Sequence, residues 1–253
     1  MVNEITTEGL NVQIFENRAA LGAKAASMVS EKIRELLAQQ EFVNIIFAAA
    51  PSQNEFLETL VQDKNIAWER INAFHMDEYV GLPEDAPQGF GNFLKERLFA
   101  KVPFRSINYL NGLANNATGE CERYTALLKR YPVDIVCMGI GENTHIAFND
   151  PHVADFNDLK LVKVVDLDSA CRQQQVNDGC FENLNQVPTH ALTLTVPALI
   201  NADYVFCMVP GPTKAKAVQH TLQSHIQELY PSTILRKHPN AVLFLDEASS
   251  ALL

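Results

Sequence analysis

Short apolar segments alternate with longer amphipathic segments along most of the chain. Helical spacing of apolar residues predicts a long first helix from about Asn17 to Gln39, and the alternation that follows is typical of an α/β fold with an open, mainly parallel, Rossmann-like twisted sheet and helices on both faces. No linker, charge block or internal repeat interrupts the pattern, so we expect a single domain over residues 1–253. The predicted strands are NIIFAAA (44–50), RINAFHM (70–76), VDIVCMG (133–139), LVKVVDL (161–167), HALTLTV (190–196), YVFCMVPG (204–211) and AVLFLDE (241–247).

Charge and composition narrow the classes of partner. The 20 Lys+Arg and 30 Asp+Glu give a formal net charge of −10, which opposes a broad grip on a phosphate backbone, so no nucleic-acid partner is expected. No segment approaches the roughly 18 apolar residues of a membrane span, and the first residues lack a signal-peptide pattern. We therefore expect no membrane association and a cytoplasmic location. The scattered cysteines contain no CxxC pair, which favours buried free thiols over disulfides or a zinc site.

Ligands of open α/β sheets bind beyond the carboxyl ends of the strands, so the residues that follow each strand are candidates for chemistry. After the first predicted strand, AAAPSQNEF places Ser52 and Gln53 at a helix start, and Ser52 with Glu55 fits a capping box. This helix start either binds an anion or is simply capped. After the sixth strand, Lys214 and Lys216 stand near another helix start, where they oppose the helix dipole unless an anion binds.

The second predicted strand is followed directly by two carboxylates, Asp77 and Glu78. Adjacent carboxylates raise each other's pKa, which suits a general base, and solvated loop acids are the alternative interpretation. His75 lies beside them without the spacing of a known metal motif, so no metal site is predicted.

The most specific stretch is MGIGENTHIAFNDP, after the third predicted strand. Gly141 permits a tight turn, and Asn143 and Asp150 flank His145 so that they can orient and tune its imidazole. The third glycine of a GxGxxG dinucleotide motif is absent, so a nicotinamide cofactor is not expected.

The segments FHMDEYVGL (74–82) and GIGENTHIAFNDP (139–151) resemble the two signature motifs of the glucosamine-6-phosphate deaminase family, which is related to the 6-phosphogluconolactonases. The resemblance continues through VPTHALTLT (187–195), VPGPTKA (209–215) and KHPNAVLFLDEAS (237–249). It implies a Rossmann-like fold of the deaminase/isomerase type, a phosphorylated amino sugar as substrate and no cofactor. The implied reaction opens the sugar ring, moves the C2 proton to convert aldose to ketose, and releases ammonia. The resemblance leaves open whether the protein forms a homo-oligomer.

By the same resemblance, Asp77 would move the C2 proton, and His145 would open the ring with the help of Asn143 and Asp150. Relatives carry a phosphate-binding arginine before a phenylalanine, a region that reads NDGCF here without an arginine. Arg172 is the candidate replacement, while Arg236 is a second arginine that could complete a phosphate clamp. The candidate substrate-binding residues are therefore Ser52, Gln53, Glu78, Gly141, Arg172 and Lys214.

Three functions are compatible with these residues. The first is a hexosamine-6-phosphate deaminase acting on glucosamine 6-phosphate or galactosamine 6-phosphate. The second is a 6-phosphogluconolactonase-type sugar lactone hydrolase, which needs a base to activate water but no C2 base. The third is a non-catalytic sugar-phosphate sensor on the same fold, because fold does not fix function. Retention of Asp77, His145 and Asp150 together argues against the sensor.

Overall fold

A computed structural model describes residues 2–253 of the chain. The strands are β1 (Asn3–Thr7), β2 (Leu10–Phe15), β3 (Val43–Phe47), β4 (Ile71–His75), β5 (Asp77–Tyr79), β6 (Ser106–Asn108), β7 (Ile135–Met138), β8 (Val162–Asp166), β9 (His190–Leu194), β10 (Tyr204–Val209) and β11 (Ala241–Asp246). The helices are α1 (Arg18–Leu37), α2 (Asn54–Leu60), α3 (Phe90–Leu94), α4 (Ala117–Arg130), α5 (Ser169–Asn177), α6 (Val196–Ile200) and α7 (Ala215–Gln223). Short 3₁₀ turns, Pro51–Gln53 and Pro212–Lys214, lead into α2 and α7.

The large sheet has eight strands in the order β1-β2-β11-β10-β7-β3-β4-β6. Its strands pair in parallel except for β1, which runs antiparallel to β2. Alternate strand residues contribute to two hydrophobic clusters, with Ile45 in one and Ile46 in the other, so helices and loops cover both faces. The predicted α/β fold is confirmed.

Two of the predicted strands lie outside the large sheet. β8 and β9 pair antiparallel with each other, and β9 pairs with β5, to form a separate small sheet in the order β5-β9-β8. β8 exposes Val164 and Asp166, whereas a central parallel strand is buried on both faces. The expectation of one parallel sheet from all the predicted strands is therefore wrong for 161–167 and 190–196. The sequence interpretation also missed β1 and β2.

Helix α1 forms as predicted and positions the start of the site. Asn17 caps it by accepting a hydrogen bond from the Ala20 N–H at 2.9 Å. α1 packs against α2 so closely at Gly22 that a Cβ added there would lie 2.6 Å from Glu55 Cβ. The close packing places Arg18, the first residue of α1, beside the loop that follows β3.

The cysteines form no disulfide in the described part of the chain, and only Cys180 is not fully buried. The expected burial is confirmed for four of the five cysteines. Within residues 2–253, no helix combines the length and the apolar character that crossing a bilayer requires.

Candidate active site

A cleft of about 270 Å³ lies at the carboxyl ends of β3, β4, β7 and β10. This is where ligands of open α/β sheets bind. Of the residues singled out from the sequence, the structure brings Ser52, Asp77, Gly141, His145 and Lys214 together in the wall of this cleft. The other predicted site residues do not line the cleft, and they are Gln53, Glu78, Asn143, Asp150 and Arg172.

Asp77 reaches the cleft because the chain turns sharply between β4 and β5. The buried His75 imidazole donates from Nδ1 to the Asp77 carbonyl and accepts the Leu110 N–H at Nε2, both at 2.9 Å. Burial lowers the pKa of His75 to about 4, so the ring is neutral and serves as a structural anchor for the Asp77 backbone. His75 therefore fixes the position of the Asp77 backbone, from which the side chain extends.

The Asp77 carboxyl is 7% exposed and accepts no hydrogen bond from the residues that the structure describes. Burial, and then the nearby charge of Glu78, raise its pKa well above the ordinary range. A carboxylate without hydrogen-bond partners at the wall of a cleft is a stronger base than an exposed aspartate. It is also costly to ionise in the folded protein.

We expect Asp77→Asn to raise thermal stability more at about pH 8 than at about pH 4. The folded-state pKa of Asp77 lies above the unfolded value of roughly 3.9, so ionisation destabilises the native state as the pH rises through the folded pKa. Asparagine removes that cost at high pH and changes little once both states are protonated. Melting temperatures of the variant and of the matched surface variant Asp85→Asn test this, and an equal shift at both pH values would contradict it.

Glu78 does not line the cleft, contrary to its prediction as a substrate-binding residue. Successive side chains of a strand point to opposite faces, so Glu78 faces away when Asp77 faces the cleft. Its carboxylate accepts the N–H groups of Tyr79 and Phe90 at 3.0 Å and of Gly91 at 2.8 Å. Glu78 thus caps α3, and burial raises its pKa despite these bonds.

His145 lies on the backbone of the turn after β7. The ring packs so closely on Gly141 that a Cβ added there would lie 2.2 Å from the imidazole Cε1. Nδ1 donates to Asn143 Oδ1 at 2.7 Å and lies 3.1 Å from Asp150 Oδ1. Because Nδ1 carries the proton, Nε2 of the neutral ring is free to accept one, and it has no partner among residues 2–253.

Asp150 is fully buried behind His145 and does not touch the cleft. Burial would raise its pKa, but the hydrogen bond of His145, with the Asn143 amide that donates at 2.9 Å, holds the pKa below its ordinary value. Asn143 and Asp150 therefore orient the imidazole together. The contact between Asp150 Oδ1 and His145 Nδ1 is direct.

The same turn is strained at Thr144, which has a φ of 72°. A β-branched residue in the left-handed region is an outlier, at a cost of about 1–3 kcal/mol. The Thr144 carbonyl accepts the Ser232 N–H at 2.9 Å, a contact that helps to hold this conformation.

Lys214 lines the cleft from the loop that follows β10. Its side chain is 7% exposed and forms no hydrogen bond or ion pair within the described part of the chain. Burial lowers its pKa, against the opposing charges of Asp178 and Glu142. The preceding Gly211, at a φ of 99°, donates its N–H to Asp246 at the end of β11, which fixes this loop.

Arg18 is a cleft residue that the sequence analysis missed. Its Nε donates to Glu55 Oε1 at 2.7 Å, and Nη2 donates to the Pro51 carbonyl at 2.8 Å. Nη1 lies near the loop of Gly211, since a Cβ added to Gly211 would be 3.8 Å from it. A cation at the first position of a helix opposes the dipole, the same signal that singled out Lys214.

The capping box predicted at Ser52 and Glu55 is wrong. No side chain caps the 3₁₀ turn or α2, because Glu55 pairs with Arg18 instead. Ser52 Oγ accepts a hydrogen bond from Gln53 Nε2 at 3.1 Å and lines the cleft. Gln53 itself is buried outside the cleft wall, and its amide also approaches the carbonyl of Met138 at 3.3 Å. Gln53 supports the loop rather than facing a ligand.

Neither arginine proposed for a phosphate clamp lines the cleft. Arg172 donates to the carbonyls of Leu184 and Val187 at 2.6 and 2.9 Å, on the side of α5 away from the cleft. Arg236 is buried and donates to the carbonyl of Leu222 at the end of α7. Both guanidinium groups satisfy backbone carbonyls, so Arg172 is a correction to the predicted site.

Helix α5 instead brings Gln174, Gln175 and Asp178 to the cleft. Gln174 accepts the Glu142 N–H at 2.9 Å, which ties α5 to the turn of His145. The sequence analysis missed these polar residues because positions 174, 175 and 178 belong to no motif that it identified.

Comparisons with known proteins show the family of the chain. Residues 16–244 match the family described as glucosamine-6-phosphate isomerases/6-phosphogluconolactonase. The chain is 35% identical over 182 residues to a glucosamine-6-phosphate deaminase of Bacillus cytotoxicus, covering 72% of this chain and 68% of that protein. It is 37% identical over 183 residues to the corresponding protein of Bacillus cereus (strain B4264), with the same coverage.

Solved structures show the same fold. A monomeric glucosamine-6-phosphate deaminase superposes with a TM-score of 0.87 at 26% identity, covering 96% of this chain and 99% of that chain. A 6-phosphogluconolactonase from Thermotoga maritima superposes with a TM-score of 0.75 at 22% identity, covering 93% and 98%. The likeness to the lactonase extends to the fold alone.

Proposed function

The chain belongs to the glucosamine-6-phosphate isomerase/6-phosphogluconolactonase family, and from that premise we propose that it is a hexosamine-6-phosphate deaminase. The substrate is glucosamine 6-phosphate or its C4 epimer galactosamine 6-phosphate. With water, the enzyme converts it to a ketohexose 6-phosphate and ammonia.

The observation that carries the proposal is the pairing of an unpartnered base with an unpartnered cation in one cleft. Asp77 and Lys214 are both buried, and neither has a hydrogen-bond or ion-pair partner among the described residues. Buried charges are costly unless they are paired, so each side chain is suited to a group that arrives with the ligand. A phosphorylated sugar with an acidic carbon–hydrogen bond supplies a proton for Asp77 and an anion for Lys214.

The phosphate binds at the end of the cleft where Arg18 and Lys214 meet the loop of Ser52. Charge-assisted hydrogen bonds from a guanidinium and an ammonium hold a phosphate strongly. Glu55 keeps one edge of the Arg18 guanidinium occupied, which orients Nη1. The local cations bind the anion in spite of the overall charge of −10.

Proton transfer falls to the cleft residues that follow β4 and β7. His145, oriented by Asn143 and Asp150, accepts and returns a proton through Nε2 to open the hexose ring. Asp77 then removes the C2 proton and returns it at C1, which converts the open amino aldose into an imine at C2. Water adds to C2 of this imine and ammonia leaves, which gives the ketose. The raised pKa of the Asp77 carboxyl brings it closer to the operating pH, as Brønsted behaviour requires of an effective base.

The lactone hydrolase is the alternative function, and Asp77 argues against it. Lactone hydrolysis needs a base for water and an anion site, and His145 with Lys214 would be enough. The buried Asp77 carboxyl, which has no partner in the cleft, is needed only if a carbon-bound proton is moved. We also propose that residues 1–253 act as one domain, because both hydrophobic clusters pack on the same sheet. We propose that the enzyme acts in the reducing cytoplasm, a compartment in which thiols such as these stay free.

Product analysis tests the proposed reaction directly. Purified protein is incubated separately with glucosamine 6-phosphate, galactosamine 6-phosphate and 6-phosphogluconolactone, and ammonia release and lactone hydrolysis are followed. Ammonia from either amino sugar supports the proposal and identifies the epimer. Lactone hydrolysis alone would establish the alternative, and no turnover of any of the three would overturn both.

We expect Lys214→Ala to raise KM for the phosphorylated amino sugar by about 10- to 100-fold with a smaller change in kcat. The ammonium holds the phosphate equally in ground and transition states, so its loss weakens uniform binding. Lys216→Ala, an exposed lysine of the same helix start, is the matched control. An unchanged KM in Lys214→Ala would mean that the phosphate binds elsewhere.

A further inference from the structure

Three side chains behind the His145 turn converge outside the cleft. Single ligand atoms of Asp150, His152 and Asp168 all lie within 4.8 Å of one another. None of the three lines the cleft. Asp150 and His152 stand in the loop after the turn, and Asp168 caps α5, so only the fold brings the aspartates together.

The buried member of this cluster has an unused ligand atom. Asp150 is 0% exposed, and its Oδ1 faces His145 and Asn143 while Oδ2 has no hydrogen-bond partner in the described structure. A buried carboxylate oxygen without a partner costs free energy, and a bound cation is one way to satisfy it.

The other two members also have free coordination capacity. Asp168 commits Oδ1 to the Cys171 N–H, whereas Oδ2 has only a 3.5 Å contact to the Asn143 amide. His152 is exposed, and its Nε2 pairs with Asp166 Oδ2 at 3.1 Å. Ligation through Nδ1 would preserve that pair, and a carboxylate on the second ring nitrogen commonly orients a metal-bound histidine.

We propose that Asp150, His152 and Asp168 form a binding site for a divalent ion of the zinc class, with water completing the coordination. One imidazole and two carboxylates suit zinc, which binds three protein ligands and leaves a position open. Calcium and magnesium prefer all-oxygen ligand sets, and only two carboxylates are available here. The exposure of His152 provides the entry path from solvent.

Metal binding would reach the cleft through Asp150, which the site shares with His145. A cation on Oδ2 withdraws negative charge from the carboxylate that orients the imidazole, so a bound ion lowers the rate of ring opening. This consequence rests on the proposed deaminase function. The binding of the ion does not.

A second cluster competes for the same ion. His145, Asp150 and Cys171 also have ligand atoms within 4.8 Å of one another, all of them buried. Zinc accepts thiolate readily, but Cys171 is buried with 1% of its surface exposed, whereas His152 is exposed to solvent. The exposed histidine therefore favours the first cluster.

Isothermal titration of the tag-free protein with zinc chloride separates these sites. We expect one ion per chain, loss of this binding in His152→Asn, retention in Cys171→Ser, and a weakening of about 10- to 100-fold in Asp166→Asn. Zinc should also slow ammonia release by the unmodified protein and not by His152→Asn, whose activity without metal should be unchanged.

The outcomes are distinct for the two proposals. Absence of binding, or binding lost in Cys171→Ser and kept in His152→Asn, overturns the proposed site. Binding with the expected pattern in a protein that releases no ammonia supports the site while contradicting the deaminase function. The variants at His152 and Asp166 change exposed side chains, so folding is not at risk.

Discussion

Asp77→Asn is expected to lower the rate of proton exchange at C2 of the amino sugar phosphate by roughly 10²- to 10⁴-fold, the usual contribution of a positioned general base. Asparagine has nearly the same shape and keeps the backbone contact with His75, but it cannot accept the proton. Because we propose that Arg18 and Lys214 hold the phosphate, affinity for the substrate should change little.

The measurement is incorporation of deuterium at C2 in deuterated water, followed by nuclear magnetic resonance. Binding of glucosamine 6-phosphate to the slow variant is measured by calorimetry in parallel. Asp85→Asn makes the same chemical change on an exposed loop and should leave exchange intact. Exchange retained in Asp77→Asn would remove Asp77 from the role of base.

Gly141→Ala is the second substitution with a large expected effect, and it acts through sterics alone. Its new methyl group would lie 2.2 Å from the His145 ring, a separation that real Cβ atoms do not show, so the ring must move. Overpacking of this kind costs about 1–3 kcal/mol of stability. Displacement of a catalytic group by about 1 Å costs roughly 100-fold in rate.

The double variant Gly141→Ala/His145→Ala tests the cause. Removal of the imidazole makes room for the methyl group, so Gly141→Ala should destabilise the His145→Ala protein far less than the unmodified protein. Activity should stay low in the double variant because the imidazole is gone. Equal destabilisation in both backgrounds, measured by denaturant unfolding, would show that the ring contact is not responsible.

Several residues of the cleft were predictable because ligands of open α/β sheets bind at the strand ends. Asp77, His145 and Lys214 each follow an apolar strand of the large sheet, and parallel strands bring their carboxyl ends to one edge. The same reasoning located Ser52. Position along the chain was therefore enough to find the cleft.

Side-chain direction was harder to predict. Glu78 was grouped with Asp77, but adjacent residues of a strand face opposite ways, and Glu78 caps α3. The chain start was also interpreted without β2, which hid the fact that Arg18 follows a strand like the other site residues. Arg172 was chosen for its charge, and only the fold shows that backbone carbonyls occupy its guanidinium.

The place of β11 in the sheet sets an order of events during synthesis. β11 lies between β2 and β10, although it is made long after β2. Until it emerges from the ribosome, the nascent chain has two unpaired strand edges, which are prone to non-native pairing. Arg18 and Lys214 follow the two strands that flank this gap, and Asp246 at the end of β11 accepts the Gly211 N–H of the Lys214 loop, so we expect the cleft to reach its final shape only after β11 has inserted.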